Sequence, residues 1–216
     1  MSVEYNPGEK QAVRPPYPSE EYKDIKVLLA SNSPRRRELL GLVVPEFSIA
    51  AARDVDETYP DTLEAHSVPA YLSALKASAY KDLLEPGELI ITADTVVLLD
   101  GEILGKPHSR QGAIEMLERL SGRTHTVVTG VTLTSLSGKR TDTFSEETRV
   151  SFGTLERKEI EEYVDRFRPF DKAGAYGIQE WVGAAAIKGI DGCFYNVMGL
   201  PLHTLYEHLK TFFRQG

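Results

Sequence analysis

A chain of 216 residues with net charge −7, of which 41% are hydrophobic and 26% charged, has the composition of a soluble globular protein. The acidic balance argues against a general nucleic-acid-binding face, no apolar run reaches membrane-spanning length, and the N-terminus lacks a signal-peptide core. The single cysteine, Cys193, excludes an internal disulfide framework, and five scattered histidines without i, i+4 spacing argue against a histidine-based metal site. No Walker A or dinucleotide-binding glycine motif occurs. A cytoplasmic protein is expected.

Residues 1–24, with Arg14-Pro-Pro-Tyr-Pro18, read as a flexible arm ahead of one folded unit over residues 25–216. Lys26 to Ala30 reads as a buried strand, followed by a tight turn and a helix that starts at Pro34 with Ser33 as its N-cap. Arg35, Arg36 and Arg37 then fall in the first helical turn, where the macrodipole disfavours cations. The run makes sense if an anion binds at the turn, which is the geometry of a phosphate site; a solvated basic patch is the competing reading.

Phe47 to Ala51 predicts a strand, Asp54 to Pro60 a polar loop, and Val68 to Leu84 a helix. Leu89 to Leu99 is an apolar β-rich run that Asp100-Gly101 turns back into Glu102 to Leu104. Ser109 caps the next helix, whose apolar face carries Ala113, Met116, Leu117 and Leu120, and Gly122 ends it. Thr126 to Leu136 and Thr141 to Phe152 form a long hairpin across Ser137-Gly138. Thr154 is expected to cap a helix from Glu156 to Phe167. Gly183 to Ile190 and Cys193 to Val197 read as another hairpin across Asp191-Gly192, and Pro201 opens a C-terminal helix ending near Phe213. Helices alternate with strands early and hairpins dominate later, which implies an α/β fold with a mixed sheet and room for two lobes around a cleft.

Several polar residues stand out. Asp94 interrupts an apolar strand, and a carboxylate buried there without a partner would be very costly, so it belongs at a cleft, a cap or a metal. It could act as a general base or a ligand for a hard cation, or satisfy turn amides at a strand end. Lys106 is held between Gly105 and Pro107, which could aim its ammonium at a phosphate, although taken alone it reads as an ordinary exposed loop lysine. Lys76 sits in a small-residue helical stretch, where most lysines reach out to water. Asp56 and Glu57 are metal-ligand candidates or a solvated acidic loop. The segment Asp171-Lys-Ala-Gly-Ala-Tyr-Gly-Ile-Gln179 has the small residues that let a flat ligand approach the backbone, with Gln179 able to donate and accept.

In this order, Leu29-Ala-Ser-Asn-Ser-Pro-Arg-Arg36, Val55-Asp-Glu57, Ala74-Leu-Lys-Ala77, Ala93-Asp-Thr-Val-Val97, Gly105-Lys-Pro107, Ser121-Gly-Arg-Thr-His125, Asp171 to Gln179 and Gly199-Leu-Pro201 resemble the motifs of the Maf family of nucleoside triphosphate pyrophosphatases. The likeness runs over about residues 26 to 213. It implies an elongated, inosine-triphosphatase-like α/β fold, with a mixed sheet flanked by helices and a cleft between two lobes. It also implies hydrolysis of a nucleoside triphosphate to monophosphate and pyrophosphate with a divalent cation, Mg or Mn. On this resemblance Asp94 is the proton acceptor or a metal ligand. Ser31, Arg36, Lys76 and Lys106 are triphosphate contacts, and Glu57 is a metal carboxylate.

Three pocket positions divide the family, and here they are Arg35, Thr95 and Gln179, a combination resembling the dTTP/UTP branch. The 7-methyl-GTP branch tends to carry an aromatic residue, Gln and Glu instead. The chemistry agrees: uracil and thymine present an N–H beside carbonyls, which one amide can match, whereas adjacent guanine N–H donors suit a carboxylate. CTP or modified pyrimidine nucleotides stay open as substrates. From another class, the family's association with septum formation leaves a nucleotide-binding regulator of cell division as a rival, although a pure binder would not need Asp94. The resemblance also suggests a homodimer.

Overall fold

Residues 25–135 and 140–214 are described by a computed structural model. The expected arm over 1–24 and the turn at Ser137-Gly138 lie outside these residues. A seven-stranded mixed sheet runs through the molecule in the order β2 (Ser48–Ile49), β1 (Lys26–Leu29), β3 (Glu88–Leu99), β5 (Thr124–Ser135), β6 (Arg140–Phe152) and β7 (Ile187–Asp191). The short β4 (Glu102–Leu104) pairs with the far end of β3. The β1–β2 and β1–β3 pairs are parallel, and the other pairs are antiparallel.

The helices are α1 (Pro34–Leu40), α2 (Val68–Ser78), α3 (Arg110–Leu120), α4 (Arg157–Phe167), α5 (Trp181–Ala186), α6 (Phe194–Met198) and α7 (Leu202–Arg214). Local chemistry sets their starts. Ser33 caps α1 by accepting from the Arg36 amide at 3.4 Å, and Ser109 caps α3 through Gly112 N at 3.0 Å. Positive φ at Asp100 (54°) and Gly101 (82°) supplies the tight primed turn of the β3–β4 hairpin.

The apolar residues of β3 alternate between two faces as the pleat requires. On one face Leu89, Ile91 and Ala93 join a core with Leu29, Leu39, Leu133 and Leu205. Further along that face, Val97 and Leu99 join a second core with Ile114, Leu117, Phe152, Tyr163 and Tyr176. On the opposite face Val96 and Leu98 pack with Val68 and Leu72 of α2. Each fully buried side chain of this kind contributes about 1.5–3 kcal/mol. The two cores on the first face thus occupy opposite ends of the long central strands, and Thr95 stands between them.

Four sequence expectations are corrected. The strand at Phe47 to Ala51 shrinks to Ser48–Ile49. The second helix stops at Ser78, because the chain turns to bury Tyr80 and Leu84 over Ile90, with the Tyr80 hydroxyl donating to Ala51 O at 2.9 Å. Glu156 rather than Thr154 caps α4, its amide bonded by the Glu159 carboxylate at 2.8 Å. The hairpin across Asp191-Gly192 does not form: residues 181–186 and 194–198 are helical, and β7 pairs with β6 instead. Short apolar runs read equally well as strand or helix, and here Asn196 decides. Its buried Nδ2 donates to Val127 O at 3.1 Å and Thr148 Oγ1 at 2.9 Å, which folds α6 onto the sheet.

Candidate active site

Asp94 and Thr95 interrupt β3 on opposite faces. Asp94 points toward α2, where Lys76 Nζ lies 2.6 Å from its Oδ1. The same nitrogen lies 2.9 Å from Glu57 Oε2 in the loop before α2. This ammonium resolves the cost of a carboxylate in an apolar strand. The approach depends on Gly130, which faces Asp94 across the β3–β5 ladder. A Cβ at Gly130 would sit 2.3 Å from the carbonyl carbon of Pro69 and the amide nitrogen of Ala70, so only glycine lets α2 lie this close to the sheet. Polar bonds complete the seat, with Thr92 Oγ1 donating to Ser73 O at 2.7 Å.

The three arginines of α1 diverge. Arg36 turns into the fold: Nε donates to Gly199 O, Nη1 to Ala93 O and Nη2 to Thr95 Oγ1, each at 2.8 Å. Burial pulls this guanidinium below its ordinary value, the nearby Asp94 carboxylate opposing that pull and the Arg35 charge adding to it. Arg35 pairs with Asp171 at 3.0 Å. Burial acts to raise the Asp171 carboxyl, yet hydrogen bonds from Lys172 and Arg35 hold it below the usual range. Arg37 bends away to Ser31 O at 3.3 Å and is exposed.

Two adjoining cavities open here and share Ser33, Arg35, Arg36, Lys76, Lys106 and Asp171 on their walls. The larger, of about 300 Å³, adds Ser31, Arg53 and Glu57. The smaller, of about 130 Å³, adds Asp94, Thr95, Val97, Tyr176, Gln179 and Met198. Ser31, Arg35, Arg36, Glu57, Lys76, Asp94, Thr95, Lys106 and Gln179, all singled out in the sequence, therefore meet around one composite opening.

The wall of the smaller cavity is a braced loop. Gly174 N donates to Gly105 O at 3.1 Å and ties it to the Lys106 segment. Buried Lys172 pairs with Asp171 at 2.9 Å and Glu180 at 3.2 Å. The Tyr163 hydroxyl donates to Glu180 Oε2 and accepts from Gly177 N at 3.1 Å. Behind the wall, Tyr176 Oη is 2.7 Å from Nε2 of His125, which is 2% exposed. Burial depresses the His125 imidazole to about 4 and raises the Tyr176 phenol. Gln179 itself is exposed at the rim.

Sequence reading passed over Lys172, His125 and Arg53. His125 carries a legible signal as the end of the Ser121 to His125 motif, and Lys172 as part of the segment opening at Asp171. Arg53 has none, because a single charge in a polar loop looks like any solvated residue. Among the described residues, no group of three or more His, Cys, Asp and Glu side chains could hold a metal ion, and no helix is long and apolar enough to cross a membrane.

Known proteins are similar to this chain in sequence. A dTTP/UTP pyrophosphatase of Bacteroides thetaiotaomicron is 50% identical over 185 residues, covering 86% of this chain and 95% of that protein. One from Porphyromonas gingivalis is 50% identical over 192 residues, covering 88% and 96%. Among solved structures, the Ham1 protein of Staphylococcus aureus aligns with a TM-score of 0.45 at 18% identity, covering 59% of this chain and 71% of that one. Residues 26–212 match the family described as Maf-like protein, and with relatives at half identity over most of its length, the chain belongs to the Maf family.

Proposed function

We propose that this protein hydrolyses dTTP and UTP to the monophosphate and pyrophosphate. The observation that carries the reading is one composite opening with two ends. Its shared wall carries Arg35, Arg36, Lys76 and Lys106, as a triphosphate requires, and only the smaller end adds Val97, Tyr176 and Met198 with an amide at the rim, as a base requires. Relatives at about half identity bear the name dTTP/UTP pyrophosphatase, which supports the substrate class.

In this reading Asp94, on the wall of the smaller chamber and paired with the shared Lys76, faces the α–β anhydride. Its carboxylate takes the proton of the attacking water as the new P–O bond forms, the anhydride P–O bond breaks, and pyrophosphate leaves with the bonding electrons. Arg36, already fixed by three protein acceptors, offers its remaining N–H groups to phosphate oxygens without reorganising, which is how preorganised donors lower a barrier. Lys106 and Arg35 add charge along the chain of phosphates, and the Ser31 hydroxyl lies on the same wall.

The donor chemistry fits a divalent cation. Asp94 and Glu57 already converge on one cationic atom, and magnesium-type ions use one or two carboxylates together with substrate phosphates. A cation bound there would supply charge neutralisation to the phosphates. Glu57 and Asp94 would hold it.

Gln179 reads the base, its amide meeting both the N–H and a carbonyl of uracil or thymine. Thr95 contributes through Arg36 and Thr129, which occupy its hydroxyl at 2.8 and 3.0 Å. A phosphate-release assay coupled to inorganic pyrophosphatase, run over dTTP, UTP, CTP and 7-methyl-GTP with and without Mg or Mn, tests the reading. Turnover of dTTP and UTP that requires metal is expected; a clear preference for 7-methyl-GTP overturns it.

A further inference from the structure

The contacts of Lys76 carry a consequence for the order in which ligands enter. Its ammonium is within 2.9 Å of one oxygen of Glu57 and one of Asp94, two carboxylates from separate parts of the fold that converge on this single atom. Lys76 and Asp94 are largely shielded, with side chains 18% and 14% exposed, so water does little to screen that pair, whereas Glu57, 53% exposed, closes it from the solvent side. These are the same oxygens that a divalent cation would need. An ammonium and a metal ion cannot both sit against them, since two like charges would then share one small volume.

Two further observations give the ammonium an alternative position. Lys76 lines both chambers, so its flexible four-carbon stem can carry Nζ from the carboxylates to a ligand in either one. Among the described residues no set of three or more ligating side chains surrounds the point, which leaves a metal dependent on oxygens that the nucleotide brings.

We infer that Lys76 is a resident counter-cation that occupies the divalent-metal position of the free protein and surrenders it only when a polyphosphate offers its ammonium a new partner. Resting on the nucleotide reading of the cavity, this makes metal and triphosphate bind with strong positive coupling. It leaves the free protein with little metal affinity. By linkage, the metal must strengthen nucleotide binding by the same factor. The arrangement guards the two carboxylates against stray cations while keeping them oriented.

The test is Mn²⁺ binding, followed by electron paramagnetic resonance and calorimetry on the purified protein without turnover. In the absence of nucleotide, Lys76→Met should bind Mn²⁺ at least tenfold more tightly than wild type. In wild type, an α,β-imido analogue of dTTP should tighten Mn²⁺ by at least tenfold, and in Lys76→Met that gain should shrink by the same factor by which the substitution tightened Mn²⁺ without nucleotide, the remainder being the phosphate oxygens' own ligation. Equal Mn²⁺ affinity of wild type and Lys76→Met without nucleotide overturns the inference. Should Lys76→Met fail to fold, the wild-type coupling decides, and Mn²⁺ affinity unchanged by the bound analogue overturns it. Because the first arm uses the metal alone, it is independent of substrate identity, whose failure would appear separately as absent dTTP turnover in the coupled assay.

Discussion

Arg36 donates from Nη2 to Thr95 Oγ1 at 2.8 Å, joining the arginine assigned to phosphate with the threonine assigned to nucleotide choice. The two positions are not independent. Arg36→Lys, which keeps the charge but loses the planar fork, should lower kcat/KM for dTTP on the order of a hundredfold. Thr95→Val removes one acceptor and should cost about tenfold. In a double-mutant cycle the two losses should fall well short of additive, and strict additivity would show that the bond does not couple them.

Asp94→Asn keeps the size of the side chain but removes the charge that pairs with Lys76. Turnover should fall by roughly 10²–10⁴-fold, the range for loss of a general base, with the circular dichroism spectrum unchanged. Near wild-type kcat would remove Asp94 from the chemistry.

Lys106 and Arg53 face the larger cavity, and neither is bonded to or paired with another described residue. Nothing in the fold is lost with them. Lys106→Ala and Arg53→Ala should each melt within about 2 °C of wild type. Each should nevertheless raise KM for dTTP, by roughly tenfold for Lys106. Unchanged kinetics in both variants would show that the chamber does not hold the triphosphate.

Gly130→Ala places a methyl group where the backbone of Pro69 and Ala70 already lies, at 2.3 Å. Neither strand nor helix can yield without breaking the ladder beside Asp94. Urea denaturation should report a loss of about 3 kcal/mol, at the upper end for overpacking. A loss below about 1 kcal/mol would mean that α2 is free to move away from the sheet.

His125 predicts a pH dependence of stability. Its imidazole, depressed to about 4 by burial, stays neutral in the folded protein while the unfolded chain protonates near 6.5. The unfolded state therefore binds more protons between these values, and stability falls as pH falls from about 6.5 toward 4. The contribution lost between pH 8 and pH 5 is about 2 kcal/mol. His125→Gln should flatten this segment of the stability profile measured by denaturant titration. An equally steep profile in the variant would assign the effect to other groups.

Much of the site was legible because its signals are local. Pro34 after Ser33 sets a helix start, Asp100-Gly101 sets a turn, and Asp94 within an apolar strand demands a partner whatever the fold. Which partner it finds was not legible. Lys76 is eighteen residues away in sequence, in a helix where a lysine reads as a surface residue, and it reaches Asp94 only because Gly130 on a third element lets the helix settle onto the sheet. The arginine run shows the same division. Its charge pointed to an anion, yet one side chain braces the sheet, one pairs with Asp171 and one faces solvent.

By itself the sequence determined the element types where periodicity and caps agree and the mixed character of the sheet; the residue set expected at the cleft came from the motif resemblance, because Glu57, Lys76, Lys106 and Gln179 taken singly read as solvated residues. The tertiary structure alone decided the fate of residues 181–198, where short apolar runs fit strand and helix equally; for residues 194–198 a buried asparagine bonded to Val127 O and Thr148 Oγ1 holds the helix on the sheet. It also decided the pairing of every cation around Asp94. The reason is physical: propensity and capping act within a few residues, whereas the cost of an unpaired buried charge is settled by whichever distant group the packing brings within about 3 Å.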